Sequence, residues 1–217
     1  MTVRNESEYF ITDTVRVRLL RAIFTEFYAT ECTEVVFDNN RRWCANADLI
    51  LTLFPDAFII CCVRHPAMIL DSFEQLARSS PLTLSMITDG KSNLAIHGRF
   101  HRYLAPDGVV GYAWRALQSA WFSPRRERLI IVDYNRLAAA PGAVLQKLHG
   151  RLGEPLFEYD FEHILQIPGV KEFDARTGTP GLHNLRNVVS YAPSPMPVFP
   201  PELARTIPTP FWEGSSL

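Results

Sequence analysis

The stretch that most limits how this chain can fold is Phe58-Ile-Ile-Cys-Cys-Val63, an unbroken apolar run followed at once by Arg64-His65-Pro66. The run is too short for a globular helix and is rich in β-branched and aromatic residues. It therefore predicts a strand buried on both faces, the kind found in parallel sheets. Pro66 suits the first turn of a helix, and Met68, Leu70, Phe73, Leu76 and Ala77 then recur at helical spacing. Arg64 thus leaves the carboxyl end of a buried strand, and Ser72 sits about two turns into the next helix. In open α/β sheets that crevice is where anionic ligands bind. A guanidinium fork and a hydroxyl that converge there suit a phosphate dianion. The residues alone leave an alternative, in which Arg64 pairs with a carboxylate such as Asp71 and Ser72 is a small surface residue.

The rest of the chain repeats this alternation. Residues 7–30 carry Tyr9, Phe10, Val15, Leu19, Leu20, Ile23, Phe24 and Phe27 at helical spacing, an amphipathic helix. Thr33 to Phe37 reads as a strand, with Asp38 to Trp43 as its carboxyl-end loop. Ala47 to Phe54 reads as a short helix closed by Pro55. Val110 to Phe122 is a helix, Leu129 to Tyr134 a second buried strand, and Ala143 to Leu152 a helix ended by Gly153. Residues 80–108 are polar and turn-rich, with His97, Phe100, His101 and Tyr103 inserted, and are expected to cover a site and shape an acceptor pocket. The proline-rich C-terminal segment 193–217 is expected to be extended. Strand, loop and helix in alternation imply an α/β fold with a mostly parallel sheet covered on both faces, in one domain over residues 1–217.

Composition excludes several function classes. At 217 residues the chain can bury a real core, and its net charge of −1 argues against bulk nucleic-acid binding. No apolar run approaches a membrane span and no signal segment opens the sequence. The four cysteines have no metal-ligand spacing; Cys61 and Cys62, adjacent on a strand, should point to opposite faces as buried free thiols. The expectation is a soluble cytoplasmic protein that needs no metal.

Four segments in order resemble a known family. Val63-Arg64-His65-Pro66 followed by Ser72 is similar to the 3′-phosphate-binding segment of sulfotransferases that use 3′-phosphoadenosine-5′-phosphosulfate (PAPS). Val35-Val36-Phe37-Asp38-Asn39-Asn40-Arg41-Arg42-Trp43, then Ile131-Val132-Asp133-Tyr134 with Leu137 and Pro141, then Pro180-Gly181-Leu182-His183 extend the likeness across roughly residues 10–212. The resemblance implies a three-layer α/β/α, P-loop-like fold and transfer of a sulfuryl group from PAPS to a hydroxyl or amine of a small-molecule, carbohydrate or peptide acceptor. It further implies that Arg64 and Ser72 hold the 3′-phosphate and that Tyr134 lies near the adenine. Arg186 would be a second phosphate clamp, and Arg41 would face the sulfonate. Asn135 stands where the family usually has an acid. His183 could order its loop or act as a base.

Two features depart from the pattern. Asp89-Gly90-Lys91-Ser92 mimics the end of a nucleotide P-loop, but Ser85 occupies the first-glycine position and no buried strand precedes it. The family cradles the phosphosulfate in a glycine-rich loop, whereas no glycine precedes Gly90 here. The strand of that cradle would be central, so its neighbours are expected to have unpaired edges. Three readings follow: a sulfotransferase with its N-terminal segment missing, a nucleotide-binding or scaffolding protein impaired in catalysis, or a different α/β binding module.

Overall fold

The computed structural model describes residues 11–29, 35–83, 85–90, 95–192 and 198–217. Helix α1 (Asp13–Phe27) starts at Thr12, whose hydroxyl accepts from the Val15 amide. Helix α2 (Ala47–Leu53) leads to strand β1 (Ile59–Val63) and helix α3 (Pro66–Ser79). Helices α4 (Ile96–Leu104) and α5 (Val109–Trp121) then carry the chain across to strand β2 (Leu129–Asp133). Helix α6 (Tyr134–Ala139) follows β2 directly, before α7 (Pro141–Leu152), α8 (Val170–Thr177) and the single turn α9 (Pro201–Ala204).

β1 and β2 pair in parallel, Ile59 opposite Leu129 and Val63 opposite Asp133. Parallel neighbours need a long crossover, and α3, α4 and α5 supply it. One face of the pair presents Ile59, Cys61, Val63, Leu129 and Ile131 to α2, α5 and Trp212. The other presents Ile130 and Val132 to Val144 and Leu148 of α7. The arrangement is the expected α/β one, a parallel sheet with helices on both faces. A third cluster fills the crossover: Leu70, Phe100, Tyr103, Val110, Phe199 and Leu203. Gly111 is required there because a Cβ would run into the carbonyl oxygens of Leu104 and Ala105.

Several expectations are corrected. β1 is not buried on both faces: Ile60 is half-buried and Cys62 is exposed. Cys61 and Cys62 do point opposite ways, but only Cys61 is buried. In the expected strand Thr33–Phe37, Thr33 and Glu34 lie outside the described residues, and among the described residues Val35 to Phe37 pair with no strand. Phe100 and Tyr103 are core residues at 1% exposure, so the aromatics of residues 80–108 pack the crossover rather than shape an acceptor pocket. Residues 201–204 are helical because Pro201 stands in the first turn, where proline is tolerated. The P-loop mimic is a turn with Asp89 and Gly90 at positive φ; Lys91 and Ser92 lie outside the described residues.

Candidate functional site

The site is built at the carboxyl ends of the two strands, where each strand turns directly into a helix. After β1, His65 caps α3 by accepting the Ala67 amide on Nδ1 at 3.2 Å, and Pro66 fills the first helical position. After β2, Asp133 caps α6 by accepting the Arg136 amide at 2.9 Å. These two short turns bring Arg64 and Tyr134 side by side. The Arg64 guanidinium carbon lies 4.7 Å from the centre of the Tyr134 ring, within cation–π range.

Arg64 has no acid partner among the described residues. Asp71, the alternative partner, is buried at 7% exposure, and its Oδ1 accepts instead from the Val198 amide at 3.1 Å. Two buried side-chain polar atoms lack a hydrogen-bond partner among the described residues, Arg64 Nε and Asn135 Oδ1. Native interiors rarely leave such atoms without a partner. Both belong to this corner. A buried donor that carries charge, beside an aromatic ring and without a carboxylate, fits an anionic ligand such as a phosphate ester.

Arg64 also borders a cavity of about 1280 Å³, between α1, the 35–43 loop, β1, α3 and α5. Every residue of β1 from Ile59 to Val63 lines it, odd and even alike. The cavity therefore runs along the edge of β1 away from β2, not against one face. Among the described residues no strand pairs with that edge. Arg41, exposed on the 35–43 loop, borders the same cavity, so the structure brings Arg41 and Arg64 to one space. Trp43 packs against Phe24 at 6.0 Å and against the core cluster that includes β1.

Ser72 is exposed on α3. It stands four residues beyond Met68, hence on the same helix face, and Met68 Sδ accepts from Asn135 Nδ2 at 3.8 Å. The face that carries Ser72 is thus the one turned toward the start of α6. Arg186 is exposed and borders neither this cavity nor the smaller one near α8. Its neighbours are held elsewhere: Leu185 O accepts from Gln166 Nε2 at 2.6 Å and Asn187 O from the Ile164 amide at 2.7 Å. The structure does not join Arg186 to Arg64.

One arrangement was not legible in the sequence. Asp174 of α8, 1% exposed, accepts the His183 amide at 3.0 Å and His183 Nδ1 at 2.5 Å. The His183 side-chain bond, reinforced by its amide, holds the Asp174 carboxyl below the usual carboxylate range. Of the two roles open to His183, this geometry accounts for the ordering of the loop; nothing short of the fold joins residues nine positions apart across a turn. A second arrangement sits at the cavity wall, where the Cys44 and Cys61 sulfurs lie 3.4 Å apart as free thiols. Hydrogen bonding to Cys44, more than burial, pushes the Cys61 thiol up.

The family model described as "Sulfotransferase family" matches residues 4–158, which include Arg41, Arg64, Ser72 and Tyr134. The chain therefore belongs to the sulfotransferase family, whose chemistry is sulfuryl transfer. No curated protein and no solved structure matches it. Arg186 and the Asp174–His183 pair lie beyond the matched residues. No helix among the described residues is long and apolar enough to cross a membrane.

Proposed function

We propose that the protein transfers a sulfuryl group from PAPS to a hydroxyl or amine acceptor, with the nucleotide seated at the carboxyl ends of β1 and β2. The observation that carries this reading is Arg64: a guanidinium with a buried Nε, no acid partner among the described residues, and an aromatic ring at 4.7 Å. Arg64 and Ser72 hold the 3′-phosphate, the first through charge-assisted bonds and the second through one directional donor. Tyr134 offers its ring face to the adenine. Arg186, which the structure leaves apart from Arg64, is proposed as the second phosphate clamp on the family resemblance alone. Arg41 faces the sulfonate from across the cavity.

PAPS supplies the activated sulfonate; this chain's residues supply position and charge. Sulfuryl transfer, like phosphoryl transfer, depends chiefly on alignment of donor and acceptor and on stabilised peripheral oxygens. An arginine at the sulfonate end and another at the 3′-phosphate would fix both ends of the nucleotide. The edge of β1 along the cavity, with which no strand pairs among the described residues, is where a cradle for the phosphosulfate would pair; a second reading is a nucleotide-binding protein impaired in catalysis.

Calorimetric titration with adenosine 3′,5′-bisphosphate tests the nucleotide site. Arg64→Ala should weaken binding by more than about 2 kcal/mol, since it removes a charged fork from a partly buried site. Unchanged affinity would remove the assignment. Transfer of labelled sulfate from PAPS to a panel of phenol, carbohydrate and peptide acceptors separates the two readings, because tight binding without turnover supports only the second.

A further inference from the structure

The two orphaned polar atoms at the strand ends are chemically opposite, and that opposition specifies a ligand. Arg64 Nε is a donor on a cation; Asn135 Oδ1 is a neutral acceptor. Both adjoin Tyr134, one through the ring contact and the other through the chain. They are not bonded to each other, although such a bond would satisfy both. The other half of the Asn135 amide is already engaged, since Nδ2 donates to Met68 Sδ. That contact turns the oxygen, not the nitrogen, to the unsatisfied side.

We infer that Asn135 is the residue that selects the base, its Oδ1 accepting the exocyclic amino group of a 6-aminopurine; this rests on the nucleotide reading above. The chemistry follows from the acceptor. An adenine presents an amino donor at that position, whereas a 6-oxopurine presents a second acceptor and would leave two oxygens facing each other. A site built around one hydrogen bond rejects the analogue that cannot make it, because the buried partner stays unsatisfied. Rotation of the amide to rescue the oxopurine would set its oxygen against the Met68 thioether, which cannot donate. An acid at this position would also accept the amino group, but it would place negative charge beside an anionic nucleotide. Asparagine keeps the acceptor without the charge.

The test is a ratio, which does not depend on the fraction of active protein. Wild-type chain is titrated by calorimetry with adenosine 3′,5′-bisphosphate and with inosine 3′,5′-bisphosphate. The expected preference for the adenosine nucleotide is about tenfold or more. Asn135→Ala should bring the ratio near one, while Asn135→Asp should keep the preference and weaken both ligands. Equal wild-type affinity for the two nucleotides, with Arg64→Ala still weakening both, would overturn the role of Asn135 and leave the nucleotide site standing. That role is equally lost if Asn135→Ala weakens both ligands alike and preserves the ratio. Failure of wild-type protein to bind either nucleotide would overturn the site itself, and should Asn135→Ala fold poorly, the wild-type ratio and the aspartate variant still decide.

Discussion

β1 and β2 are strands of equal length in one ladder, both almost wholly apolar, yet their surroundings differ. Leu129 to Val132 of β2 are all buried, at 9% exposure or less. The C-terminal segment covers β2 as well, with the Leu217 amide donating to Ile131 O at 2.9 Å. β1 has only Ile59, Cys61 and Val63 buried, and its other edge borders the cavity. The same contrast separates α1 from α3. Val15, Leu19, Ile23 and Phe27 form a stripe at four-residue spacing on α1 that is 38–74% exposed, whereas Leu70 and Glu74 of α3 are 0% exposed. Apolar sequence fixes what an element can bury; the neighbours that reach it fix what it does bury. The open flank is also where Arg41 and Arg64 border one cavity, so the loosely covered side of the sheet is the side on which the proposed nucleotide site lies.

The largest effect expected on the closed side is at Glu74. Its carboxylate holds Arg99 at 2.6 and 2.8 Å and Arg78 at 2.9 Å. Removal of one partner of a buried ionic cluster costs about 3–5 kcal/mol, so Glu74→Ala should lower the urea midpoint steeply. Next comes Ile131→Ala on β2, expected to cost about 2–5 kcal/mol through the cavity it leaves. Ile23→Ala on α1 should stay within about 0.5 kcal/mol, as for exposed positions generally, and Cys62→Ala on β1 likewise. A cost at Ile23 or Cys62 matching that at Ile131 would break the contrast between the two flanks.

Acid titration sharpens the same comparison. Burial alone would raise the Glu74 carboxyl, but hydrogen bonds from Arg99 and Arg78 outweigh it and hold the group below its ordinary range. A carboxyl depressed in the folded state contributes stability that is complete above the ordinary glutamate range, near pH ~4.3, and lost as pH falls through the lower folded value. Thermal melts should therefore decline as the pH drops below about 4. Glu74→Gln should flatten part of that decline; Asp174, depressed through His183, should account for a further part. A Glu74→Gln profile parallel to wild type would show that the cluster does not titrate with folding.

The strand–turn–helix unit that opens at Phe58, the helices read over residues 110–122 and 143–152 and the strand from 129 were all legible to within a few residues, because each rests on local periodicity and on local punctuation such as Pro66 and Gly153. Arg64 and Ser72 could be named on their spacing after a buried strand, and Arg41 and Tyr134 on the family resemblance; the structure gathers Arg41 and Arg64 around one cavity and Arg64 and Tyr134 into contact. What the chain could not disclose by itself was every fact that depends on which distant group arrives. Asp71 turns to Val198 and so leaves Arg64 without that acid; Phe100 and Tyr103 go inward because Leu70 and Phe199 meet them; Asp174 finds His183 across a turn. Local pattern specifies the backbone through short-range sterics and hydrogen bonds, whereas partners and exposure come from long-range packing, and only the folded chain decides those.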